Sequence, residues 1–437
     1  MNKHVYTIGT ERRLIPEFVG TYFKEIENMQ KTTNEETTLV IIDECNDEAA
    51  RANDIILKKN KRSGVNYIHF DKEKQYELFH YLRNNCSDSS IVDLLDFEGY
   101  SYGRVMNKQF LVASMLNANF LHRRDSDVKI IDDTFGFPSK FENKYLGKKV
   151  KDVNYHVNGK ENHSLEQVIY MVGSGYSGKS SWKADFGIFL EKDMNLISEV
   201  AKLFNYDDSL MKEYMNEIVD GNVNIEGDEL FLPLHNHPNP VCGNISMYEV
   251  FKHLPCSTME STIGSDNLIR EFLKRVGMPI IYHSNFVYHE FGKDRDNSDI
   301  KYLLSYWPRM INKLIYYKMI ENLIFKNQKL KSDTIKNVED VDFKNLINRE
   351  KLTYDYVYST ANECIDLFVN IMKKGKNFKF KLLIEHFQNE EFLRNTADNM
   401  YNGMVNGDKL LRDWEEIIYL CENYSVSKDT EKIMKIV

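Results

Sequence analysis

At 437 residues the chain is longer than one hydrophobic core usually supports, and its 42% hydrophobic and 28% charged residues, with only 21 Gly and 8 Pro, exclude a disordered or low-complexity chain. A net charge of −9 excludes the broad basic face that a nonspecific nucleic-acid binder needs to displace counterions. The six cysteines form no C-x-x-C pair, and neither a secretory start nor a membrane-spanning run is seen, so a reduced, cytoplasmic location without a transmembrane segment is expected.

Residues 5–9 are a β-branched run ending in Gly-Thr and predict a first strand, and residues 16–29 carry Phe18, Tyr22, Ile26 and Met29 at helical spacing. Residues 38–42 read as a buried strand ending in Asp43, 48–59 as an Ala-rich helix and 65–70 as a third strand. Residues 103–116 then predict a helix, and 119–124 the strand that delivers Asp125. Alternating strands and helices predict a mostly parallel sheet, and such sheets gather ligands at the carboxyl ends of their strands. Thr10, Asp43 and residues 125–127 should converge there. Periodicity weakens over 128–232, with one clear strand at 168–172, and a further strand is read at 279–283. From 300 onward long amphipathic segments dominate, at 302–325, 353–372, 380–387 and 410–421. The expected architecture is therefore an α/β domain over 1–298 followed by an all-helical domain over 299–437. The apolar face of Tyr302, Leu303, Tyr306, Met310 and Leu314 reads as core or as the seam of a homodimer.

The sharpest feature is Asp125-Ser126-Asp127. Two carboxylates one residue apart at a strand end can share a hard divalent cation, although an isolated D-x-D is also common in surface turns. Arg123 and Arg124 are unusual on a strand and would either pair with phosphates or reach solvent at a sheet edge. Arg104 and Asn107 lie at i and i+3 on the preceding helix, with Lys108 beside them.

On these residues the stretch of 5–290 resembles the GT-A glycosyltransferases, nucleotide-sugar enzymes with a D-x-D motif after a nucleotide-binding half. The resemblance implies a GT-A-like, Rossmann-like α/β fold and metal-dependent glycosyl transfer. Mn²⁺ or Mg²⁺ would be held by Asp125, Asp127 and His289. The donor would be a nucleotide-diphosphate sugar, a UDP-sugar foremost, bound by Thr10, Asp43, Arg104, Asn107, Lys108 and Asp125. Asp266, at a helix start, would be the acceptor base, which slightly favours inversion, and its plainer reading is a helix N-cap. A Gly-rich, aromatic loop would bring Gly173, Tyr176, Trp182 and Asp185 to the sugar or acceptor side. The acceptor would be a small molecule, a glycan or a peptide. The helical domain would serve acceptor selection or oligomerisation.

A rival reading is a P-loop NTPase, because Gly173, Gly178, Lys179 and Ser180 satisfy G-x-x-x-x-G-K-S after a strand and residues 39–43 resemble its acidic strand. Against it, the acidic strand comes first in the chain, and Asp185-Phe186-Gly187 interrupts the helix that should follow. His235, His237, His283 and His289 could be taken for a zinc cluster but lack metal-specific spacing. A sugar-nucleotide-binding module without turnover is the non-enzymatic alternative.

Overall fold

The computed structural model describes residues 3–97, 101–131, 136–153, 157–178, 188, 194–203, 229–232, 240–289, 299–326, 335–375 and 378–424. The N-terminal strands follow the predicted alternation. β1 (Lys3–Thr10), β2 (Glu36–Asp43), β3 (Asn66–Phe70) and β4 (Phe120–Asp125) lie in the order β3-β2-β1-β4, all parallel. They are joined through α1 (Pro16–Thr33), α2 (Asp47–Asn60), α3 (Lys72–Asn85), the short α4 (Ser90–Asp93) and α5 (Tyr102–Met115). All but the first residue of β2 are buried, the signature of a parallel strand covered on both faces. Local chemistry sets the helix boundaries. Pro16 opens α1 and Asn34, at φ 56°, closes it, while Asn46, Asp71 and Ser101 accept backbone N–H bonds at the starts of α2, α3 and α5.

The rest of the sheet is mixed. After β5 (Val128–Lys129) and α6 (Pro138–Tyr145) come β6 (Met171–Gly173), β7 (Tyr176–Gly178), α7 (Met194–Leu203), β8 (Leu230–Leu232), β9 (Asn244–Tyr248), α8 (Leu268–Arg275), β10 (Ile280–Tyr282) and β11 (Val287–His289). β9 runs antiparallel between β4 and β6, β10 is parallel to β6, and β8 closes the edge antiparallel. The described residues thus form an eight-stranded sheet, and β5, β11 and β7 form a separate small one. This is the mostly parallel α/β sheet followed by helices expected from the sequence, with the strand read at 168–172 found as β6 at 171–173.

The C-terminal region is helical: α9 (Ile300–Ile320), extended by a π-turn at Glu321–Phe325, then α10 (Tyr354–Met372), α11 (Phe378–Phe387) and α12 (Glu390–Tyr424). One hydrophobic core joins it to the sheet, from Val40, Ile42 and Phe110 to Trp307, Phe368 and Trp414. The Trp414 indole N–H donates to the Phe251 carbonyl at 3.0 Å. Leu303, Tyr306, Met310 and Leu314 are buried within the chain and Tyr302 is half-buried, so of the two readings of this face, core or homodimer seam, core is the one found. Among the described residues no helix is long and apolar enough to cross a membrane, and all six cysteines are free.

Candidate metal and transfer site

The D-x-D turn follows β4, whose neighbour β1 ends at the same level, with Gly9 opposite Asp125. His289 arrives from the small sheet, paired across to Val128 in β5 and Gly178 in β7. Asp125, Asp127 and His289 consequently offer ligand atoms that all lie within 4.8 Å of one another. His289 Nε2 is 3.4 Å from an Asp127 oxygen. The carboxylates retain 30% and 15% side-chain exposure, so a ligand can reach them. Two hard oxygen donors and one imidazole suit a divalent cation such as Mn²⁺ or Mg²⁺, and the three expected ligands are thus brought together.

Two arginines hold these acids. Arg12, exposed at the end of β1, lies 3.1 Å from Asp127, and buried Arg123 lies 3.1 Å from Asp125 and 3.2 Å from Asp266. Burial alone would raise the Asp125 carboxyl, but Arg123, the Tyr176 hydroxyl, His289 and Arg12 together keep it below the usual carboxylate range. Tyr176 donates to Asp125 Oδ2 at 2.7 Å, and Tyr22 donates to the Asp125 carbonyl at 3.1 Å. Gly243 leaves this carboxylate its room. A Cβ there would stand 2.1 Å from both Asp125 Oδ2 and the Tyr176 hydroxyl.

Asp266 occupies a 3₁₀ turn after Gly264, whose φ of 79° a side chain would resist. The turn caps no helix through its side chain, so the N-cap alternative finds no bond there. Burial holds the Asp266 carboxyl above the usual range, Arg123 opposes that, and Asp125 adds to it. The thiols of Cys242 and Cys256 point at its carbonyl from 3.7 and 3.8 Å.

The α5 residues divide between two tasks. Asn107 clamps the backbone of Cys256, accepting from its N–H at 2.7 Å and donating to its carbonyl at 2.9 Å, while the Gly103 N–H donates to Ser265 Oγ at 3.1 Å. This end of α5 holds the segment that carries Asp266. Lys108 donates to Glu44 and Gln75 at 2.8 and 2.7 Å, and Arg104 reaches Glu44 at 3.5 Å and donates to the Phe97 carbonyl. Glu44 follows Asp43, which pairs in register with Thr10. Asp43 itself is engaged by the Cys45 N–H at 2.9 Å, Asn53 at 2.9 Å and His69 at 2.8 Å. Thr10 makes a local turn with Arg12.

Gly173 ends β6, where a Cβ would meet the Asn244 carbonyl at 2.6 Å, so close strand packing accounts for it. Tyr176 lies on the Asp125 carboxylate itself. Gly173 and Gly178 sit in strands of two different sheets, whereas a phosphate-binding loop would wrap between strand and helix. Lys179, Ser180, Trp182, Asp185, His235 and His237 lie outside the described residues. His283 is buried against Phe141, apart from the Asp127–His289 contact.

Neither arginine reaches solvent at a sheet edge. β4 is a central strand, so Arg123 turns into the site and Arg124, fully buried on the other face, pairs with Glu25 at 3.0 Å and Glu142 at 2.9 Å. Sequence reasoning passed over Arg12 and Gly243, whose only signal is position: one follows β1, the other precedes β9.

A family model described as a family of unknown function (DUF6271) matches residues 5–350. No curated protein matches the chain. Among solved structures, mannosyl-3-phosphoglycerate synthase from Rubrobacter xylanophilus is similar at 12% identity over 74% of this chain and 75% of that one, with a TM-score of 0.37, a likeness that bears on neither the site nor its substrate.

Proposed function

The chain belongs to the DUF6271 family, whose function is unknown, and we propose from its own site that it transfers a sugar from a nucleotide-diphosphate donor to an acceptor in a reaction that needs a divalent cation. The observation that carries this reading is the convergence of Asp125, Asp127 and His289 within 4.8 Å at the carboxyl end of the parallel strands. Mn²⁺ or Mg²⁺ held there would neutralise the departing diphosphate as a Lewis acid. Arg12, on the exposed rim beside Asp127, is placed to take a donor phosphate by a charge-assisted bond. Thr10, Arg104 and Lys108 line the neighbouring strand ends, where the nucleoside of a UDP-sugar would lie.

Asp266 is the proposed acceptor base, which favours inversion. Its raised carboxyl makes it a better proton acceptor than an ordinary aspartate once ionised. The helical region supports acceptor selection in this reading, because α9 braces the loop before Asp266: Asn312 donates to the Ser261 carbonyl at 3.0 Å and Tyr317 to the Gly264 carbonyl at 3.5 Å.

The test is a thermal-shift panel of nucleotide sugars with and without Mn²⁺, set beside ATP and GTP, since a ligand that binds the folded state raises its apparent stability. A metal-dependent shift with a UDP- or GDP-sugar, lost in Asp127→Ala, supports the proposal. Shifts with ATP or GTP alone would overturn it, and binding without turnover of any sugar nucleotide would make the protein a binding module.

A further inference from the structure

Arg123 joins two acids that the sequence keeps far apart. Its side chain is 7% exposed, Nη2 lies 3.1 Å from Asp125 Oδ1 and Nη1 lies 3.2 Å from Asp266 Oδ2. A guanidinium is a rigid planar fork with a single delocalised positive charge. Shared between two carboxylates, that charge cannot neutralise both, so whatever draws it toward one acid withdraws it from the other.

We propose that Arg123 is a positioning residue that couples cation binding at Asp125, Asp127 and His289 to the charge on Asp266. With Asp125 engaged by a divalent cation, the guanidinium is left to Asp266 and holds that side chain ionised and oriented, the form a base requires. With Asp266 neutral, the guanidinium returns to Asp125, where it competes with the cation. Coupling of this kind is reciprocal, so it can be read from binding alone. The inference rests on the metal-dependent reading above, and it adds a route by which the donor side and the acceptor side inform each other.

The experiment is a double-mutant cycle on the full-length chain, with Mn²⁺ as the titrant in calorimetry. Asp266→Asn is expected to weaken Mn²⁺ binding by about fivefold or more. In an Arg123→Gln background the same change should alter the affinity by less than about twofold, because the fork that transmits the effect is gone. Arg123→Lys serves where the glutamine variant fails to fold. It keeps a positive charge but puts one nitrogen in place of the two that each face one acid, so the coupling should again fall. If Asp266→Asn keeps its full effect in the Arg123 variants, the acids act through the general field and the inference is overturned while the function stands. If the wild-type chain binds no Mn²⁺, the metal-dependent reading falls and takes the inference with it.

Discussion

Gly243 shows how a residue without a side chain can govern a carboxylate. The space its missing Cβ would fill is occupied by the Asp125 oxygen and the Tyr176 hydroxyl, both 2.1 Å from that point. Gly243→Ala must therefore push the carboxylate or the phenol aside. Mn²⁺ affinity measured by calorimetry should fall by about tenfold, which corresponds to roughly 1.4 kcal/mol, while the fold is retained. An unchanged affinity would show that Asp125 is not held where a cation needs it. Asp43 makes a contrasting case. Its carboxylate has internal partners on both oxygens, so Asp43→Asn should lower stability by about 1–3 kcal/mol in a denaturant titration, whatever it does to nucleotide binding. The two residues also mark the limits of reading a sequence. Asp125 and Asp127 were legible because two acids at a strand end form a local pattern, whereas the roles of Arg123, Gly243 and Tyr176 depend on which distant segments meet, and spacing along the chain carries no trace of that.

At the scale of elements, α5 joins the sheet to the Asp266 loop. Its first turn is pressed so tightly on the 256–257 backbone that a Cβ on Gly103 would stand 1.9 Å from the Ser257 carbonyl. Because that obstacle is backbone and cannot rotate away, Gly103→Ala is expected to cost about 1–3 kcal/mol or more by thermal melting, and to weaken turnover by displacing Asp266. A melt matching wild type would mean that the helix and loop slide freely. The four parallel strands were legible as short apolar runs, and α1, α2 and α5 as helical stretches, whereas α3 and α4 were not read. α12 was seen only in its last part, as residues 410–421. Gly403 and Gly407 interrupt its pattern, and the reason for one is tertiary: Gly403 lets Met259 approach to within 2.7 Å of where a Cβ would be. β9 escaped notice because it lies in a stretch where strands are short and the direction of the sheet changes.

Across the molecule, a line of polar groups runs inward from the half-buried Glu35. Glu35 bonds to His4 at 2.7 Å, His4 to His122 at 2.9 Å, His122 to Glu142 at 2.7 Å, and Glu142 to Arg124 at 2.9 Å. Burial, reinforced by His122, lowers the His4 imidazole to about 2, and burial lowers His283 to about 3. Each would gain a proton on unfolding below the ordinary value of 6.5, so each contributes stability that is whole above that pH and is lost as pH falls toward the folded values. While both are in that window, stability should drop by about 1.4 kcal/mol per pH unit for each histidine. Melting temperature followed from about pH 7 to pH 4 should fall steeply in the wild type and less so in His4→Gln, and a flat wild-type profile would contradict the assignment.

The core that runs unbroken from Val40 to Trp414 has a mechanical consequence. Many two-lobed enzymes swing their halves together about a flexible joint, but among the described residues the helices and the sheet share one interior, so bending one against the other would expose apolar surface. Any motion that keeps this core intact is confined to the segments around it, and the helical half travels with the sheet as one piece.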